Sequence, residues 1–227
     1  TYTQCLNLRG TIEADLTVAR LEENVFYLVT GTAYLNHDLH WLKHHLQDAF
    51  DVQIRDVTSA NAVIGIMGPR ARQVLQPLTD DDLSHEHFAF GQCRKIMLAG
   101  ADVLAMRVTF VGELGWELHI PSESALSVYR ALIQSGQRCE LSHAGYRAIE
   151  SCRLEKGYRV WGKDVTPDDT PLEAGLGWAT KLKTAKPFLG RQALEKQRQQ
   201  GVTRRLALFK VSQPDCVLLG RETIYRN

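Results

Sequence analysis

At 227 residues, 44% hydrophobic and 23% charged, the chain has the make-up of a soluble globular protein with room for one or two cores. A net charge of +1 gives no electrostatic case for a nucleic acid or an anionic membrane as partner, and no apolar run approaches the roughly 20 residues of a spanning helix. The five cysteines (Cys5, Cys93, Cys139, Cys152, Cys216) are odd in number and without CxxC spacing, which points to free thiols in a reducing compartment. No secretory signal opens the chain, its first residue is not Met, and Ile224-Tyr225-Arg226-Asn227 reads as a strand entering a turn. A piece of a longer polypeptide is therefore expected.

In the stretch from Asn7 to Ala19, Ile12, Ala14, Leu16 and Val18 alternate with Glu13, Asp15 and Thr17. This predicts a strand with one apolar face and one face carrying two carboxylates and a hydroxyl. Asp is disfavoured in strands, so Asp15 calls for a reason, the ordinary one being exposure. Turn residues Glu22, Glu23 and Asn24 lead to the apolar run Val25 to Val29, completing a hairpin. Asn36 suits the cap of a helix whose stripe is Leu35, Leu39, Leu42, Leu46 and Ala49, with His37, His40 and His44 opposite. His40 and His44 have metal-pair spacing, but no third ligand is spaced to join them, so the expectation is a solvated face and no metal.

Val63 to Met67 reads as a strand ended by Gly68-Pro69, with a helix from there through Leu75. A loop over Thr79 to Ser84 precedes His85 and His87, which lack metal spacing. Strands over Lys95 to Leu98 and Val103 to Val111 lead into RVTFVGELGWELHIP, from Arg107 to Pro121. There Leu104, Met106, Val108 and Phe110 share one strand face, opposite Arg107 and Thr109, and Gly112 and Gly115 bracket a hairpin loop. On the returning strand Trp116, Leu118 and Ile120 face one way, Glu117 and His119 the other. If Glu117 is buried between its apolar neighbours it needs donors; taken alone, an exposed edge carboxylate is the ordinary reading. Ser122 suits the cap of a helix to Gln134, with Gly136 as its stop. Strand, helix, several strands, helix is the order of a two-layer α+β domain with an antiparallel sheet.

A helix is predicted from about 144 to 158, where Arg147, Glu150, Arg153 and Glu155 offer i, i+3 support. The stretch from Trp161 to Trp178, WGKDVTPDDTPLEAGLGW, is too rich in proline, glycine and aspartate for regular structure, and a loop this long is usually functional. Trp178 reads as core or as a stacking platform. Gly190 to Gly201 reads as a basic surface helix, and Leu206 to Val211 as the first strand of an unfinished unit. GxGxxG after a strand, the P-loop, GxSxG and HExxH are all lacking, and no cysteine has a nucleophile's flanking signature.

Six motifs carry a resemblance across nearly the whole chain: YTQCLNLRGTIEADLTV from Tyr2, GPRARQVL from Gly68, FVGELGWEL from Phe110, GYRAIESCRLEKGYRVWGKD from Gly145, TPLEAGLGW from Thr170 and FLGRQAL from Phe188. In this order they resemble the folate-binding region of the glycine-cleavage T-protein (aminomethyltransferase) family, most of all the C-terminal half of sarcosine and dimethylglycine dehydrogenases. The resemblance implies an α+β, three-lobed folate-binding fold. Residues 1–50 and 141–203 would build one lobe, 51–140 a ferredoxin-like antiparallel-sheet lobe, and 204–227 the start of a truncated third. Asp15 matches the family's catalytic aspartate, with Leu16 and Thr17 beside it in the folate site. Glu117 matches the glutamate that holds the pterin, flanked by Leu118 and His119. Phe110 and Trp178 stand where the dimethylglycine enzymes have tyrosine, so stacking on folate survives without the phenol.

The implied function is a tetrahydrofolate-dependent one-carbon acceptor. It would take the methylene group from an oxidised N-methyl amine or its iminium, such as that from sarcosine or dimethylglycine, to give 5,10-methylenetetrahydrofolate. FAD would belong to a flavin domain fused on the N-terminal side. The resemblance implies no nucleic-acid or membrane partner, and a mitochondrial matrix location in a eukaryote or a cytoplasmic one in a bacterium. The alternatives are a stand-alone aminomethyltransferase acting on a lipoyl carrier, and a catalytically silent folate-binding or regulatory scaffold.

Overall fold

Two open antiparallel sheets organise the chain, which the computed structural model describes over residues 1–46, 50–213, 215–220 and 222–225. The first sheet has the order β1 (Tyr2–Leu6), β2 (Ile12–Glu22), β3 (Val25–Val29). The predicted alternation along β2 holds: Ile12, Ala14 and Leu16 are buried, and Glu13, Asp15 and Thr17 on the other face are half-buried. Strand β1 was not anticipated, because neither Tyr2 and Gln4 nor Thr3 and Cys5 make an apolar set. It pairs Gln4 with Asp15 and Tyr2 with Thr17, while β3 pairs Tyr27 with Ala19.

The second sheet runs β4 (Asn61–Met67), β7 (Gly115–Pro121), β6 (Ala101–Met106), β5 (Cys93–Leu98). Helices α2 (Ala71–Leu75) and α3 (Ala125–Gly136) cover one face, making two layers, helix on antiparallel sheet, with β4 at the sheet edge. Trp116, Leu118 and Ile120 point into this core and are each 0% exposed. Burying a side chain of that kind contributes about 1.5–3 kcal/mol.

Strand β6 ends at Met106, not at Val111 as predicted. The cause is long-range. The Arg107 amide donates to Gln92 O (2.9 Å), the Gly91 amide donates to Arg107 O (2.8 Å), and the Arg107 guanidinium donates to Phe88 O and stacks over Trp116. Residue 107 is thus captured by the 88–92 turn, and residues 107–114 form a loop that carries Phe110 off the sheet.

A second core joins the apolar face of β2 to the 161–178 segment and to α5 (Arg191–Gln200) through Ile12, Leu6, Val165, Leu176 and Leu194. The segment is irregular but tied down: the Ile12 amide donates to Asp169 O and Trp161 Nε1 donates to Ile12 O, both at 3.0 Å. Helix α5 lies between Gly190 and Gly201 as expected, but it is more than a surface helix, since Leu194 is 0% exposed.

Helix α4 spans Tyr146–Glu155, shorter than predicted. Gly157, at φ 68°, lets the Tyr158 amide reach back to Arg153 O (2.9 Å), a Schellman ending. Of the predicted supporting pairs Glu150 and Arg153 meet, and Arg153 is only 2% exposed because it also reaches Asp164.

Helix α1 runs Leu35–His45, with Asn36 inside it and not at its cap; the entry is a turn in which the Tyr34 amide donates to Gly31 O (2.8 Å). Its buried residue is Asp38, while Leu35, Leu39 and Leu42 are half-buried and Ala49 lies outside the described residues. Ser122 does not cap α3 but donates to Ser59 O (2.8 Å). Leu206 to Val211 forms no strand among the described residues; it is exposed, and only the Leu206 amide, donating to Glu173 O, ties it back.

Candidate functional site

Strand β2 presents Asp15 half-buried, opposite Gln4 and diagonal to Tyr2, whose hydroxyl donates to Asp15 Oδ2 at 2.9 Å. Burial raises the Asp15 carboxyl above its ordinary value; the Tyr2 hydrogen bond opposes this, and the charge of Asp38 adds to it. The phenol of Tyr2 is pushed up in turn by its own burial and by Asp15. Tyr2 also packs on Trp178, with ring centroids 5.9 Å apart.

On the second sheet Glu117 and His119 project from the face of β7 opposite the core, as predicted, beside Met106 and Leu104 of β6. Burial alone raises the Glu117 carboxyl, and among the described residues no donor reaches it. His119 is 2% exposed, and burial depresses its pKa, so the ring is neutral near pH 7. Its Nδ1 lies 3.1 Å from the Tyr27 hydroxyl, and the rings meet edge to face at 5.3 Å and 90°.

That contact joins the sheets. By register Tyr27, Ala19, Thr17 and Asp15 share one face of the first sheet, and His119 and Glu117 share one face of the second. The two carboxylates therefore belong to faces that meet at Tyr27 and His119. Among the described residues four buried side-chain nitrogens have no partner, and two of them, Gln4 Nε2 and His119 Nε2, lie on these same faces. Unpaired buried polar groups are uncommon and costly. The groups on these faces, two carboxylates, an amide and an imidazole, are of the kind that suits the donors and acceptors of a pterin.

The remaining site candidates divide. Thr17 lies on the Asp15 face. The side chains of Leu16 and Leu118, 5% and 0% exposed, point into the cores, so only their backbone belongs to the inter-sheet faces. Phe110 stacks on Tyr158 at 6.4 Å and 22°. Its loop rests on the end of α4, where the Lys156 stem fills the space beside Gly112. Trp178 is 70% exposed, so it is not core. Sequence reasoning missed Tyr2, Gln4 and Tyr27. The polar alternation of Tyr2 and Gln4 was a signal for the first two, but Tyr27 had none, since its partner is 92 residues away.

Among the described residues no group of three or more His, Cys, Asp or Glu could hold a metal, and no helix is long and apolar enough to cross a membrane. His40 and His44 are exposed, while His37 bonds Asp38 at 2.9 Å.

Fold and site together define an α+β protein of two open antiparallel sheets, with a half-buried carboxylate on each of two faces that meet. The GCVT N-terminal domain matches residues 1–184, and the chain belongs to that family. It is 46% identical to the mitochondrial sarcosine dehydrogenase of Mus musculus over 240 residues, covering 100% of this chain and 26% of the relative. It is 37% identical to the mitochondrial dimethylglycine dehydrogenase of Homo sapiens over 223 residues, covering 98% of this chain and 26% of the relative. The crystal structure of glycine cleavage system aminomethyltransferase T from Bartonella henselae superposes with a TM-score of 0.75 at 28% identity, covering 88% of this chain and 53% of that one. The chain thus spans about a quarter of the length of the curated dehydrogenases it matches.

Proposed function

We propose that this chain is the tetrahydrofolate-dependent one-carbon acceptor region of a sarcosine or dimethylglycine dehydrogenase type of enzyme. A flavin domain in the same polypeptide would carry FAD and oxidise the N-methyl amine, and the compartment would be the mitochondrial matrix in a eukaryote. The observation that carries this reading is the pair of half-buried carboxylates, Asp15 and Glu117, the latter without a donor among the described residues, on faces that meet.

When bound, tetrahydrofolate supplies the nucleophilic nitrogen that accepts the methylene group. Glu117 accepts hydrogen bonds from the ring N–H and the exocyclic amino group of the pterin, a fork suited to one carboxylate. Phe110 and Trp178 offer aromatic faces to the remainder of the folate. Asp15 faces the cationic carbon fragment, holds its positive charge and removes the proton released on transfer. Its raised pKa makes it a stronger base than a solvated aspartate, and the Tyr2 hydroxyl keeps it oriented.

Calorimetric titration with tetrahydrofolate tests the reading. Binding is expected, and Glu117→Gln should weaken it by more than tenfold, about 1.4 kcal/mol. No binding by the parent chain, or equal binding by the variant, counts against it. Binding without methylene transfer by the complete polypeptide would identify a silent scaffold instead.

A further inference from the structure

We propose that Glu117 and His119 together read the donor-donor-acceptor edge of a 4-oxo pteridine, and that Tyr27 fixes the imidazole tautomer this requires. The inference rests on the reading of Glu117 as the residue that holds the pterin.

The two side chains leave the same face of β7 two residues apart, a spacing of about 7 Å along a strand. Glu117 can only accept, and its carboxylate has no donor among the described residues. The imidazole of His119 can do either, depending on which nitrogen carries the proton. Among the described residues the Tyr27 hydroxyl has one hydrogen-bond partner, His119 Nδ1 at 3.1 Å, and in the proposed arrangement the hydroxyl donates there. A neutral ring that accepts at Nδ1 carries its hydrogen on Nε2. That Nε2 is buried and has no partner among the described residues. The perpendicular contact between the two rings holds the imidazole in this orientation.

The face therefore offers two acceptor oxygens followed by one donor. The matching edge of a 4-oxo pteridine presents the 2-amino group, the N3 hydrogen and the C4 carbonyl in that order. A carboxylate takes the first two, and Nε2–H takes the carbonyl. A 2,4-diaminopteridine has an amino group in place of the carbonyl and no hydrogen on N3. It would set donor against donor at His119 and leave the buried N–H unpaired, which is how a polar site rejects a near-isostere.

The test is calorimetric titration of the chain with folic acid and with aminopterin, its 4-amino counterpart. The parent chain should prefer folic acid by about tenfold or more. His119→Leu should bring the two affinities within about twofold, His119→Gln should keep the preference because its amide still donates, and Tyr27→Phe should lower the preference by releasing the tautomer. An unchanged preference in both His119→Leu and Tyr27→Phe overturns the proposal. Should His119→Leu fail to fold, Tyr27→Phe alone decides, because a purely structural tyrosine would weaken both ligands equally. If the parent chain binds neither compound, the reading of Glu117 fails and this inference with it. A loss of affinity in Glu117→Gln alongside an intact preference in the other two variants overturns this inference alone.

Discussion

The Tyr2 hydroxyl donates to Asp15 across the β1–β2 pair at 2.9 Å, and this contact is the largest of those that oppose the effect of burial on that carboxyl. Tyr2→Phe removes it, so the Asp15 carboxyl rises further. The acid limb of methylene transfer should move to higher pH in this variant, and a pH–rate profile of the complete polypeptide measures the displacement.

Asp15→Asn should abolish transfer while leaving folate affinity within a few fold. It should also stabilise the fold. An acid whose folded pKa lies above its ordinary value of 3.8 binds its proton more tightly in the native state. Its ionisation then costs stability progressively as pH rises from about 3.8 through the folded value. Asparagine does not ionise, so its advantage in melting temperature should grow across that window and then level off. A collapse of folate affinity instead would make Asp15 a binding residue.

The Glu150–Arg153–Asp164 cluster should dominate acid sensitivity near α4. Hydrogen bonds from Arg153 and Lys163 hold the Glu150 carboxyl down at about 2, well below its ordinary 4.5. Its contribution is complete above the ordinary value and is lost as pH falls through about 2. Glu150→Gln should flatten the acid limb of stability measured by urea melts between pH 5 and pH 2. Arg153→Met removes the guanidinium shared by Glu150 and Asp164 and should lower the urea midpoint at pH 7.

Gly190 has φ 82°, and a Cβ there would lie 2.5 Å from Asn7 O and 2.9 Å from Gly10 Cα. Gly190→Ala should therefore destabilise the chain by more than about 1 kcal/mol in a urea melt. Leu194→Ala, in the same contact between α5 and the first sheet, should cost about 2–5 kcal/mol.

The thiols should separate by reactivity. Burial, with the nearby Asp38 and Asp15 carboxylates, pushes Cys5 up to about 12, whereas Cys152 and Cys216 are exposed. At pH 8 a maleimide should label Cys152 and Cys216 quickly and Cys5 only on unfolding, as mass spectrometry of digests would record.

What the sequence determined by itself is local. The period-two patterns around Asp15 and Glu117 assigned each carboxylate to the face opposite a core, because side-chain alternation is a property of a single strand. Gly190 and Gly201 bounded α5 for a similarly local reason. Tertiary structure decided the rest. Arg107 left the predicted strand because its hydrogen-bonding groups are taken by residues 88–92. Arg153 became a buried ion-pair centre only when the 161–178 segment brought Asp164 beside it. Nothing near Tyr27 in the chain announces His119, and it is their contact that makes the Asp15 and Glu117 faces meet. Such pairings depend on how two sheets pack, which no single strand's periodicity encodes.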